Sequence, residues 1–391
     1  MELNDETLRD GLQSPSVRDP GIEEKKALLH CMDGLGIEAA DIGLPGAGPR
    51  ANEAARTLAV EIARTNLSIK PNCAARTVIS DIEPIARIQQ AAGIPLEVAT
   101  FIGSSPVRQY AEDWNIDQIL QHTHRAVSYA AGEGLDVMYV TEDTTRSRPR
   151  TLDKLFRTAI EAGAKRICLA DTVGHATPRG VRQLVRFARG VAAATEEPVL
   201  VDWHGHRDRG LGLANALAAI EEGVSRVHAT ALGIGERVGN TEMDLMLVNL
   251  YLLGVRSRPL TRLDEYCRLA SEMCGVEIGP AYPVVGRDAF RTGTGVHAAA
   301  IIKAMKKGDS WLQDLVYSGV PASLVGREQQ VEVSPVSGLS NVRFWLEVNG
   351  YDSDDDHLCQ AVFGLAKRTD HALTDEEIEA ELAAVGAEPS E

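Results

Sequence analysis

The sequence predicts an α/β chain: a (β/α)8 TIM barrel followed by a small, mostly helical C-terminal lid region. Three observations predict it. From residue 1 to about 255, short β-branched or apolar runs alternate with longer amphipathic stretches. The runs number eight, as a barrel of this length requires. Nearly every polar cluster falls at the C-terminal end of one of these runs, the face that carries the chemistry in such barrels. A doubly wound open sheet fits less well, because no GxGxxG follows the first run.

The strands follow in chain order. ELND opens the chain, and GIEAADIG (Gly36–Gly43), LSIKPNC (Leu67–Cys73) and PLEVATFI (Pro95–Ile102) come next. LDVMYV (Leu135–Val140), KRICLAD (Lys165–Asp171), EPVLVDWH (Glu197–His204) and SRVHATAL (Ser225–Leu232) complete the eight. Between them lie helical stretches such as GIEEKKALLHCMDGL and TPRGVRQLVRFARGVAAAT. In LGLANALAAIEEG the apolar residues Leu213, Ala216, Leu217 and Ile220 recur at helical spacing. The polar clusters are DETLRD after strand one, TFIGSSP after four, TEDTTR after five, DTVG after six and HGHRD after seven.

The pattern changes after residue 255, so the expected division is a barrel domain over 1–255 and a linker, lid and helical subdomain over 256–391. RPLTRLDEYCRLASEMCGVEI reads as a helix, and GTGVHAAAIIKAMKKG as a glycine-rich turn entering a short one. The acidic run DSDDD (Asp352–Asp356) lacks the glycine and terminal glutamate of a calcium loop and reads as a solvated loop. Thr374 with Glu377 three residues on predicts a capping box for the last helix.

Composition narrows the function classes. With 44% hydrophobic residues and 35 glycines among 391, this is a globular composition. Forty basic against 56 acidic residues leave a net charge of −16, which makes nucleic acid and anionic membrane poor partners. The six cysteines contain no CxxC pair and read as reduced thiols. No apolar run approaches ~18 residues and no signal peptide opens the chain, so a cytoplasmic enzyme without membrane contact is expected.

The chemistry concentrates at the strand ends. HGH supplies His204 and His206, which at i and i+2 of a strand face one space. Asp10, expected to end the first strand, adds a carboxylate from a near neighbour across the barrel mouth. One carboxylate and two imidazoles with open positions suit Zn, Mn, Mg or Co as a divalent metal, the open positions taking substrate oxygens. The glycine-rich GIGERVGN (Gly233–Asn240) offers the carbonyl oxygen of Asn240 to the same ion.

DETLRDGLQSP, DTVGHATP, HGHRDRGLGLANALAAIEEG and GIGERVGN, in this order, resemble the 2-isopropylmalate synthase and homocitrate synthase family of metal-dependent TIM barrels with a pyruvate carboxyltransferase-like domain. The resemblance covers roughly residues 3–300. It implies a Claisen condensation of acetyl-CoA, or a homologous acyl-CoA, with a 2-oxoacid to give a 2-hydroxy-2-alkyl dicarboxylate and CoA. It also implies a place in amino-acid biosynthesis and a homodimer whose C-terminal segment covers the partner's active site. Asp10, His204 and His206 then match the metal ligands, with Asn240 as a further one. Arg9 matches the arginine that binds the substrate and neutralises charge on its carbonyl oxygen. Gln13 matches a glutamine near the substrate, and Thr172 a threonine on the 2-oxoacid carboxylate. Glu142, in TEDTTR, matches an acid close to the acyl methyl group, and His297, in GTGVH, a histidine of the base chemistry.

The chain also departs from that family. HRD replaces the usual HND, placing Arg207 where asparagine is common, and Asp41 stands where a glutamate is common. These positions are expected to border the 2-oxoacid pocket. The lid tyrosine's usual place holds Trp311, leaving Tyr317 as the candidate for its role. An acyl-CoA lyase resembling 3-hydroxy-3-methylglutaryl-CoA lyase is the alternative, but GIGERVG lacks the cysteine of such enzymes. A biotin-linked carboxyltransferase would want a metal-ligating lysine, and Lys165 lies at the wrong end of its strand. A non-catalytic metal-binding partner subunit is the remaining alternative.

Overall fold

The computed structural model describes residues 1–388, which divide into two compact units. The first comprises Met1–Arg258 and Glu265–Glu277, the second Pro259–Asp264 and the described residues from Ile278 on.

In the first unit all eight expected strands form: β1 (Glu2–Asp5), β2 (Ala39–Asp41), β3 (Lys70–Arg76), β4 (Glu97–Gly103), β5 (Asp136–Glu142), β6 (Arg166–Asp171), β7 (Leu200–Gly205) and β8 (Arg226–Ala229). They close in sequence order into one barrel, each neighbouring pair parallel. β8 returns to β1 with Glu2 opposite Arg226 and Asp5 opposite Ala229. Closure turns one side chain in two toward the barrel axis, so each strand's alternation decides what fills the interior.

Asp10 does not end the first strand. β1 stops at Asp5, and Asp10 begins the 3-10 turn Gly11–Gln13. The Asp5 carboxylate accepts the Thr7 N–H at 2.8 Å, and the Glu6 carbonyl accepts the N–H groups of Arg9 and Gly11. These bonds end the strand ladder and turn the chain at its C-terminal end. The inward residue that directly continues β1 is Glu6.

The N-terminal half of the barrel holds ions where branched apolar layers are usual. Arg166 meets Asp202 at 2.7 Å, Glu97 at 3.2 Å and Glu2 at 3.3 Å. Arg226 meets Asp202 at 2.8 Å and also pairs with Glu97. Asp202 is fully buried, but Arg226, the hydrogen bond to His228 and Arg166 outweigh burial and hold its carboxyl below the usual range. Helix Leu263–Cys274 joins this unit from Glu265 on, and the Tyr266 hydroxyl donates to Asp5. Burial pushes the Asp5 carboxyl up to about 6. No helix among the described residues is long and apolar enough to cross a membrane.

The second unit has its own core of Val342, Trp345, Leu346, Val362, Ile378 and Leu382. Helices Leu339–Val348, Asp356–Arg368 and Asp375–Ala384 supply it. Thr374 and Glu377 form the expected capping box. In the acidic loop, Asp355 caps the helix that follows, while the exposed Asp354 and Asp356 pair with Arg343.

The ionic interior yields a stability prediction. Arg226→Leu strips Asp202 and Glu97 of a buried partner and is expected to cost about 3–5 kcal/mol. Chemical denaturation reads it, and a loss below about 1 kcal/mol would show that the network is dispensable.

Candidate active site

A cavity of about 190 Å³ opens at the C-terminal ends of the strands. Asp10, His204 and His206 meet there, their ligand atoms all within 4.8 Å of one another. Each histidine's Nε2 lies 3.6 Å from Asp10 Oδ2. The rings are 5.2 Å apart and nearly perpendicular, so the two nitrogens approach one point from different directions. His204, next to the last residue of β7, faces inward, and its Nδ1 contacts Glu6 Oε2 at 2.7 Å, which aims Nε2 at Asp10. His206 lies just beyond the strand, bridged to Asn240. The Asn240 amide donates to Asp10 Oδ2 at 2.6 Å, while its Oδ1 is buried without a hydrogen-bond partner.

The electrostatics suit a cation. Burial raises the Asp10 carboxyl, but Arg9 and His204 outweigh it and keep the group below its ordinary value. Burial and the neighbouring His204 bring the His206 imidazole down to about 4, so it is neutral at pH 7, the form that donates a lone pair. An ionised carboxylate, neutral imidazole and an unsatisfied buried carbonyl oxygen form a donor set that fits a divalent metal.

The GIGERVGN loop holds Asn240 in place through its glycines. A Cβ on Gly235 would stand 2.4 Å from Asn240 Oδ1, and one on Gly239 only 1.9 Å from the Gly233 carbonyl oxygen. Gly239 also has φ +98°, a conformation side chains rarely adopt. Arg207 fastens this loop: its Nε donates to the Val238 carbonyl at 2.8 Å and its Nη1 to Glu242 at 2.5 Å. Arg207 is therefore not at the pocket border expected of it, since its guanidinium is spent on the loop and does not line the cavity.

Arg9 is held by three acids: Asp41 at 2.7 Å, Asp10 at 3.0 Å and Glu6 at 3.1 Å. Asp41 itself is buried, and burial lifts its carboxyl to about 6 despite Arg9. Gln13, Glu142 and Thr172 also line the cavity. Thr172 Oγ1 accepts the Asp143 N–H at 2.8 Å. Burial raises the Glu142 carboxyl and Arg108, 3.6 Å away, draws it back. His297 and Tyr317 belong to the second unit, where their rings stack 4.2 Å apart.

Glu6 and His228 line the cavity and were not singled out from the sequence, nor was its apolar lining. Glu6 lies between two imidazoles, with Oε1 2.8 Å from His228 Nδ1 as well as Oε2 on His204. Burial raises the Glu6 carboxyl, yet His204, Arg9 and His228 together hold it well below the carboxylate range. The available signal was spacing: Arg226 and His228 repeat on β8 the i, i+2 pattern of Asp202 and His204 on β7.

Fold and site together define a class: (β/α)8 barrels with a donor set that could hold a cation at the C-terminal mouth. The chain belongs to the HMGL-like family, whose profile matches residues 1–271. It is similar to the homocitrate synthase of Pyrococcus abyssi, 30% identical over 88% of this chain and 90% of that one. It is also similar to the 2-isopropylmalate synthase of Halothermothrix orenii, 29% identical over 97% of this chain and 72% of the relative. Among solved structures, the HMG-CoA lyase of Brucella melitensis matches with a TM-score of 0.58 and 19% identity, over 69% of this chain and 97% of that one. That last likeness establishes the fold.

Gly235 tests the donor set. Gly235→Ala is expected to displace the Asn240 amide and weaken Mn²⁺ or Zn²⁺ binding by about tenfold, the scale of losses from supporting residues of metal sites. Calorimetric titration reads the affinity and far-UV circular dichroism checks that the barrel persists. Unchanged affinity in a folded variant would remove Asn240 from the set.

Proposed function

We propose that the protein condenses an acyl-CoA, acetyl-CoA or a homologue, with a 2-oxoacid. One water is consumed, and a 2-hydroxy-2-alkyl dicarboxylate and free CoA are released. The observation that carries this reading is the convergence of Asp10, His204 and His206 beside Arg9 in a cavity that Glu142 and Thr172 also line. Membership of the HMGL-like family and similarity to proteins named homocitrate and 2-isopropylmalate synthases support it.

Asp10, His204, His206 and the Asn240 carbonyl oxygen would hold a divalent metal, which when bound polarises the ketone of a chelating 2-oxoacid. Thr172 receives the substrate carboxylate, and Gln13 lies beside it. Glu142 stands close to the acyl methyl group, and His297, with Tyr317 against its ring, takes part in the base chemistry. Loss of a methyl proton gives an enolate carbon, which forms the new bond to the ketone carbon as that carbon's π electrons move to oxygen. Arg9, fixed by three carboxylates, neutralises the alkoxide without moving. Water then cleaves the thioester and the CoA thiol leaves. The protein acts as a homodimer in the cytoplasm.

The direct test is free-thiol release from acetyl-CoA by metal-loaded protein offered one 2-oxoacid at a time. Release that depends on one acid supports the condensation, and tight metal binding without any release refutes it.

The Glu142–Arg108 pair supplies a pH prediction. The Glu142 carboxyl is already raised by burial, and Arg108 opposes the rise. Removing that charge in Arg108→Met lifts it further, so more of the group is protonated at a given pH. If ionised Glu142 is required, the acidic limb of kcat/KM moves to higher pH. Glu142→Gln is expected to lower the rate by about 10²-fold or more and to abolish that limb. A limb at the same pH in Arg108→Met would exclude Glu142 as the group behind it.

A further inference from the structure

The cavity has two unlike halves. β1, β7 and β8 present Glu6, His204, His206 and His228 to it, and Arg9 and Asp10 follow β1. Opposite, β3 to β6 present Ala74, Ala99, Phe101, Met138, Val140 and Cys168, with Glu142 at the C-terminal end of β5. Ala99, Met138 and Cys168 pack into one buried cluster, with Val140 against it. A 2-oxoacid with its ketone beside Asp10, His204 and His206 and its carboxylate at Thr172, between β6 and β7, has its side chain facing that wall.

No free cation waits on that apolar side among the described residues. The guanidinium lining the cavity, Arg9, is already bound to Asp41, Asp10 and Glu6. His228 is committed to Glu6 and Asp202. Arg226 approaches the wall from behind, its Nη2 3.2 Å from Met138 Sδ, but it is paired with Asp202 and Glu97. Arg108 does not line the cavity; it pairs with Glu112 at 3.2 Å and faces Glu142 at 3.6 Å, its buried Nε making no hydrogen bond. The remaining charged groups on the cavity lining, Glu142 and Glu236, are acids. A second carboxylate on the substrate would lose its water here and gain no counter-charge.

We infer that the 2-oxoacid carries an uncharged alkyl side chain, selected by the wall of β3 to β6, and not a second carboxylate. This rests on the 2-oxoacid reading of the site and narrows it. Alanine at 74 and 99 leaves the room, Phe101 and Met138 supply apolar surface, and the wall rejects dicarboxylic acids by leaving their distal charge unpaired. The class includes pyruvate, 2-oxobutyrate and 2-oxoisovalerate, and excludes oxaloacetate and 2-oxoglutarate.

The test separates binding from turnover. Full-length protein loaded with Mn²⁺ is titrated calorimetrically with each of the five acids in the absence of acyl-CoA, and thiol release with acetyl-CoA is measured in parallel. The best alkyl acid is expected to bind at least tenfold more tightly than either dicarboxylic acid, with turnover in the same order. Oxaloacetate or 2-oxoglutarate binding as tightly as the best alkyl acid overturns the inference, whatever the turnover. The expected ranking without thiol release from any acid supports the apolar wall and refutes the condensation. Binding of none of the five overturns the inference as well. Ala99→Val adds a size readout: kcat/KM for 2-oxoisovalerate is expected to fall about tenfold while that for pyruvate stays within about threefold. An equal fall for both acids places Ala99 away from the side chain and counts against the wall.

Discussion

A single buried carboxylate ties the site together. Glu6 accepts from Arg9 at 3.1 Å and touches His204 Nδ1 at 2.7 Å and His228 Nδ1 at 2.8 Å. Its neighbours come from the end of β1 and from β7 and β8. An ion in that position is tolerable only while all three partners remain, because a buried charge without them faces a penalty of several kcal/mol. The same contacts fix orientation. With Nδ1 spent on Glu6, the other nitrogen of His204 is turned toward Asp10, and Arg9 keeps its remaining nitrogens for Asp10 and Asp41. The geometry of Asp10, His204 and His206 therefore depends on a residue outside that set.

Below that carboxylate the network continues as one chain of contacts. His228 Nε2 reaches Asp202 at 3.3 Å, Asp202 binds Arg226 and Arg166, and both arginines meet Glu97. Burial opposes charging of His228, but Glu6 and Asp202 on its two nitrogens outweigh it and raise its pKa. Deep in the barrel this network reaches across to Glu97 of β4 and Arg166 of β6. At the level of the cavity the inward charges gather on β1, β7 and β8, while Ala99, Met138 and Cys168 cluster on the other side.

Much of this was legible in the sequence because it depends on local pattern. Eight apolar runs spaced by amphipathic stretches fix a closed parallel barrel, and all eight strands form where the runs lie. His204 and His206 share a face because they are two residues apart, and Asp10 joins them because the barrel brings its first and seventh strand ends to one mouth. What could not be read was contact between distant inward positions. Glu6 and His228 are 222 residues apart, and Arg226 and Glu97 129 apart. Within VLVDWH or RVHA a charged residue looks like the polar half of an ordinary alternation. Only the closed barrel turns that half toward the axis. The end of β1 failed for a related reason: turn-forming contacts of Asp5 and Glu6 act over two to five residues and leave no trace in hydrophobic periodicity.

The departures from the family pattern take a different meaning once their contacts are known. Arg207 in place of asparagine fastens the loop that carries Asn240, and Asp41 in place of glutamate anchors Arg9. Both belong to the scaffold of the ionic sector, which on the proposed reading handles the carboxylate and ketone that any 2-oxoacid has. On the same reading, discrimination between substrates falls to the sector facing the variable part, whose side chains include alanine, phenylalanine, methionine, valine and cysteine. None of them has an ionisable group suited to a second carboxylate, and their small size at positions 74 and 99 sets how much alkyl chain can enter. The proposed specificity therefore rests on the least polar residues of the cavity, not on the charged motifs that reveal its family.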